Sequence, residues 1–81
     1  MYILATLTGF GTQKATCARR TECADLDTAV EMATAWAEEM GISTDARLVR
    51  STVEQYGKYR HFAHRPCERG SRLVVLVPKV G

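Results

Sequence analysis

Residues 25–41, DLDTAVEMATAWAEEMG, are the segment with the least conformational choice. Leu26, Ala29, Val30, Ala33, Ala37 and Met40 recur at spacings of three and four. At about 100° per residue they share one face of a helix, with Trp36 at its edge. Asp25 suits the N-cap, where its carboxylate accepts from free N–H groups of the first turn. Asp27 then lies near the positive end of the helix dipole. Thr28-x-x-Glu31 also fits a capping box, which would start the helix about three residues later. Gly41 suits the left-handed position after the last turn, and Ile42 can fold back on Trp36 or Ala37 to complete a Schellman ending.

Asp27, Glu31 and Glu38 project together from the opposite face, flanked by Glu39. From Glu22 to Asp45 the chain holds seven acids and no Lys or Arg. The remaining residues hold all eleven bases and two acids, so the formal charge of +2 divides into −7 and +9. This separation admits two readings. The acids can form a solvated face whose repulsion is offset by arginines on neighbouring strands. Or they form an acidic surface presented to a basic partner.

A chain of 81 residues allows one domain, and 46% apolar with 25% charged residues places it with globular proteins. A domain of this size has a thin core, so a dimer or a partner would add burial. No apolar run approaches the roughly 18 residues of a membrane span. The opening MYILATLTGF carries neither a basic n-region nor a small-residue cleavage site, so no signal peptide is expected. Three cysteines, with no spacing typical of a secreted scaffold, fit a reducing cytoplasm.

Residues 2–8 are rich in strand formers. Gly9-Phe10-Gly11 marks a turn, and residues 14–20 read as the returning strand of a hairpin. The glycine pair does not make a phosphate loop, because no helix follows and no Lys-Ser/Thr pair closes it. Residues 21–24 lead into the helix. Residues 46–55 read as a strand with Leu48, Val49 and Val53 as its apolar members. Tyr56 to Tyr59 reads as a turn, and residues 60–64 as a short polar strand suited to a sheet edge. Residues 65–71 form a loop, and 72–77, RLVVLV, the strongest strand, ended by Pro78.

The expected class is therefore α+β, an antiparallel sheet in the order ββαβββ with one helix packed on one face. Leu73, Val75 and Val77 are expected to meet the helix. Val74, Leu76, Tyr2 and Leu4 are expected to face away, because one helix cannot cover both faces. The uncovered face is either shielded by long side chains or an apolar patch for dimerisation or partner binding.

Residue chemistry points away from catalysis. His61, His64 and Cys67 are potential zinc ligands, but their spacing matches no known module and the two histidines would point to opposite faces of a strand. Cys17, Cys23 or Cys67 could pair with a histidine as a nucleophile, yet nothing in the sequence brings such a pair together. No enzyme activity, catalytic residue, metal or cofactor is expected. The bases carry more information. Arg47, Arg50, Lys58, Arg60, Arg65, Arg69 and Arg72 surround the C-terminal strands, with Tyr56, Tyr59 and Phe62 among them. Such a mixture can hold phosphates and stack on bases, or the arginines can pair with the acidic helix.

Taken together, the opening hairpin (MYILATLTGF to KATCARR), the single acidic helix (DLDTAVEMATAWAEEMG) and the closing strands (RLVVLVPKVG) resemble the small anti-CRISPR proteins of phages and mobile elements. Within that group the chain is similar to inhibitors of type I surveillance complexes, type I-C among them. The group shares size and role rather than a motif, so no family residues carry over. The resemblance implies a cytoplasmic, non-enzymatic inhibitor in an infected bacterial host. It would bind protein subunits of a Cascade-type complex and block target DNA. Asp27, Glu31, Glu38 and Glu39 would enter a lysine- and arginine-lined groove. The mildly basic net charge departs from the strongly acidic DNA mimics of the group. The alternative is a small nucleic-acid-binding or regulatory module acting through Arg47, Arg50, Arg65, Arg69 and Arg72.

Overall fold

The segment with the clearest period folds as expected. In a computed structural model, which describes residues 1–11, 13, 15–62 and 71–79 (Phe10 and Phe62 in backbone only), it forms helix α1, Leu26–Glu39. Asp25 is extended, and its carboxylate accepts the Thr28 N–H at 2.8 Å. The capping-box register starting at Thr28 is therefore not used. At the other end the Ile42 N–H donates to Ala37 O at 2.9 Å and the Gly41 N–H to Glu38 O at 3.0 Å. Together these form a Schellman motif, with Gly41 left-handed at φ 77°. Ile42 folds back into the core.

Residues 46–55 are not a strand. Ala46–Tyr56 form a second helix, α2. The Asp45 carboxylate accepts the Leu48 N–H at 2.8 Å, and Gly57, left-handed at φ 76°, donates its N–H to Val53 O at 2.7 Å. Val49 and Val53, one turn apart, are the two buried residues of this helix. Asp45 and Gly57 define both ends, and tertiary packing of the valine stripe outweighs the strand preference of Val49, Thr52 and Val53.

Four strands complete the described residues: β1 (Tyr2–Phe10), β2 (Thr16–Cys23), β3 (Tyr59–Phe62) and β4 (Ser71–Pro78). Among the described residues the order of elements is thus ββααββ rather than ββαβββ, with two helices rather than one. All pairings are antiparallel and the sheet runs β2-β1-β4-β3. β1 continues through Gly9 and Phe10, which had read as a turn, and its pairing with β4 shifts register between Leu7 and Phe10. β2 includes residues 21–23, which had read as a lead-in to the helix. A bulge between Thr6 and Leu7 leaves Ala18 as its extra residue. β3 lies at an edge, as its polar composition suggested; residues 63–70 lie outside the described residues.

Directly opposed residues of an antiparallel ladder share a face. Leu4 opposes Leu76, which in turn opposes Tyr59, and Thr6 opposes Val74. Leu4, Val74, Leu76, Tyr59 and Cys23 join one buried cluster with Ala29, Val30, Ala33, Trp36 and Ala37 of α1, and with Val49 and Val53 of α2. Both helices therefore cover the face of Val74 and Leu76. The expected side was the reverse: Leu73, Val75 and Val77 point away from the helices together with Ile3, Ala5 and Leu7. The run RLVVLV is apolar on both faces, so alternation could not fix its sense.

Candidate partner-binding surface

The outer side of α1 carries Asp27, Glu31, Glu38 and Glu39, all exposed. The buried stripe of Ala29, Val30, Ala33, Trp36 and Ala37 dictates this, since a helix docked by one face presents the other. Asp27 and Glu38 are eleven residues apart, which places them on one line over about 16 Å.

Two of the four acids are paired within the molecule. Arg50 of α2 donates to the Asp27 carboxylate across the interhelical groove. Arg19 of β2 donates to Glu39 at 2.8 Å while its guanidinium lies 3.8 Å from the centroid of the Trp36 ring. Arg19 thereby spans sheet and helix, combining an ion pair with a cation–π contact. Glu31 and Glu38 make no ion pair among the described residues, and they are the acids free to meet another molecule.

The groove between the helices, about 350 Å³, is lined by Asp27, Val30 and Glu31 on one wall and Ala46, Arg47 and Arg50 on the other. The acidic surface and two residues of the basic alternative thus adjoin instead of forming separate patches. Arg72 sits at the start of β4 and is exposed, outside this groove. Arg65 and Arg69 lie outside the described residues. A smaller depression of about 320 Å³ collects Thr52, Tyr56, Lys58 and Arg60, with Tyr56 67% exposed. It places one aromatic ring beside two cations, the mixture that the sequence suggested for phosphates and bases.

Local charge sets the ionisable groups. The Lys79 ammonium, 2.7 Å from Glu22, holds that carboxyl below its usual range, with Arg20 adding to the effect. The Thr28 N–H lowers Asp25 in the same direction. Burial raises the Tyr59 phenol above its usual value, and the nearby Thr44 hydroxyl offsets part of the rise. Neither the Tyr59 nor the Thr44 hydroxyl reaches hydrogen-bond geometry with the other or with another group among the described residues.

His61 is exposed and stacks on Tyr59, ring centroids 6.0 Å apart. His64 and Cys67 lie outside the described residues. Cys17 is exposed; Cys23 is buried with its thiol 3.7 Å from Met32 Sδ. No trio of His, Cys, Asp or Glu among the described residues is placed to hold a metal ion. No described helix is long and apolar enough to cross a membrane. Comparison with protein-family models, curated proteins and solved structures finds no match. What reading the sequence missed is Arg19: nothing in the chain signals that it meets Trp36 and Glu39, because the pairing depends on how α1 crosses β2.

Proposed function

We propose that this chain is a non-enzymatic inhibitor that binds protein subunits of a CRISPR surveillance complex and blocks its access to target DNA. The acidic side of α1 carries this reading: four exposed carboxylates on one helix, of which Glu31 and Glu38 make no ion pair among the described residues. A complex that grips DNA offers lysine- and arginine-lined grooves, and carboxylates held in a row can occupy them. The charge is too sparse for bulk DNA mimicry. Duplex DNA carries about ten charges over the roughly 18 Å spanned by Asp27 to Glu39. The helix carries four over that length, two already neutralised. Recognition then rests on fit to one basic site.

The cleanest test reverses the unpaired acids. Glu31→Lys with Glu38→Lys leaves both internal ion pairs in place. It should abolish capture of surveillance-complex subunits in a nuclease-treated pull-down, with the fold intact by circular dichroism. Undiminished capture would remove α1 from the interface. A second reading, nucleic-acid binding, is favoured by the Tyr56, Lys58 and Arg60 depression. It expects direct binding of DNA or RNA by the isolated protein, falling steeply with salt, and a pull-down emptied by nuclease. Asp27 and Glu31 beside Arg47 and Arg50 disfavour phosphate in the interhelical groove, so that reading rests on the α2–β3 side.

A further inference from the structure

The sheet ends on β2. Among the described residues this strand pairs only with β1, so the backbone groups along its outer side have no ladder partner. A bare edge of eight residues is a template for another strand. The bulge at Ala18 interrupts the ladder and leaves residues 19–23 as its regularly paired stretch. That stretch lies at the Tyr2 end of β1, whereas residues 63–70 join the sheet at Phe62 and Ser71, opposite Leu73 and Phe10.

Side chains alternate along the stretch. Arg19, Thr21 and Cys23 oppose Thr6, Leu4 and Tyr2 on the helix face. Arg20 and Glu22 oppose Ala5 and Ile3 on the other face. Arg19 is drawn toward α1 by Glu39 and Trp36, away from the edge. Glu22 accepts from Lys79 at 2.7 Å and from Arg20 at 3.4 Å, both at Oε1. Its Oε2 has no ion-pair partner among the described residues.

We propose that β2 pairs antiparallel with β2 of a second copy, about a two-fold axis at Thr21 normal to the sheet, giving one eight-stranded sheet. The register selects the second copy. Opposed residues of an antiparallel ladder share a face, so the axis must be centred on a residue. Centring on Arg19, Arg20 or Glu22 sets a charge against its own counterpart, which is unfavourable. Centring on Thr21 sets Arg20 opposite the partner's Glu22, and Glu22 opposite the partner's Arg20. Each free Oε2 then gains a guanidinium, and all five residues of the stretch are paired. An unrelated strand would need the same Arg-x-Glu spacing, which a second copy supplies.

The axis keeps the helices of both copies on one face. α1 packs over β1 and β4, so at least three strand spacings, about 14 Å, separate the two α1 helices. That exceeds the helix diameter of about 10–12 Å, and the helices do not obstruct pairing. A ladder of about four to six backbone hydrogen bonds makes a small interface, so the dimer depends on concentration. It uses neither Glu31 nor Glu38 and stands or falls independently of the proposed function.

Sedimentation equilibrium from about 10 µM to about 1 mM in reducing buffer brackets such weak association. The mass should rise from 9.0 kDa toward twice that value. Arg20→Glu alone and Glu22→Arg alone should each hold it at the monomer, and the two together should restore the dimer, since the swap exchanges the signs but keeps the pairs. If a variant does not fold by circular dichroism, backbone amide resonances of the wild type decide instead: residues 19–23 should shift with concentration while α2 and β3 do not. A monomer at every concentration overturns the proposal. So does a single variant that folds and dimerises like the wild type, a concentration shift that maps away from β2, or a mass that climbs past the dimer, which would mark an open-ended contact.

Discussion

Among the described residues, the Tyr59 and Thr44 hydroxyls lie in the core without a well-made hydrogen bond for either. A buried hydroxyl without a partner costs about 1–3 kcal/mol. Tyr59→Phe keeps the ring, which is 1% exposed and central to the cluster, and removes that cost. It should stabilise the protein by up to about 1 kcal/mol in urea unfolding, with Thr44→Val adding to it. The raised phenol pKa gives the same variant a second signature. Wild-type stability is complete below the unfolded tyrosine value and is lost as pH rises through the higher folded one; Phe removes that loss. Asp25 has the opposite sign. Its lowered pKa means that its charge stabilises the fold above the ordinary carboxyl value and ceases to do so as pH falls through the folded value. Asp25→Asn keeps an acceptor for Thr28 but no titration. Thermal melts from neutral pH to about pH 3 should therefore show the wild-type advantage over Asn shrinking in acid, while Asp25→Ala melts lower than Asn throughout.

The helices differ in how they announce themselves. α1 was legible in its start, its stop and its buried stripe, because capping chemistry and a three-four period are local properties. α2 was misread because Val49, Thr52 and Val53 are β-branched. Yet its signals were present: Asp45 before it, Gly57 after it, and Val49 and Val53 four residues apart. Gly57 gives that ending a measurable weight. At φ 76° a side chain is strained, although a Cβ there would meet nothing within 4 Å. Gly57→Ala should thus cost about 1 kcal/mol from backbone strain alone, a drop of roughly 4–8 °C in Tm for a domain of this size. Gly57→Asn should recover part of it, and equal melting of all three would show that the turn relaxes. The strands were placed approximately, but the sense of β4 was inverted. With apolar residues at 73 to 77 throughout, only the position of the helices decides which of them is covered.

Seen across the fold, the division of charge along the chain is partly undone in space. Arg19 and Glu39 are 20 residues apart and Arg50 and Asp27 are 23 apart, so both pairs were beyond any reading of local sequence. The stripe of acids was legible because it lies on one helix; which acids remain unpaired was not. Trp36 is the single tryptophan of the chain, and it lies under the Arg19 guanidinium at the junction of helix and sheet. The protein therefore carries its own optical gauge. Indole emission depends on the charge and polarity beside the ring, so lifting α1 from β2, or drawing Arg19 away through Glu39, changes the colour and yield of one fluorophore. Engagement of the acidic side of α1 can be followed by light from the unlabelled molecule.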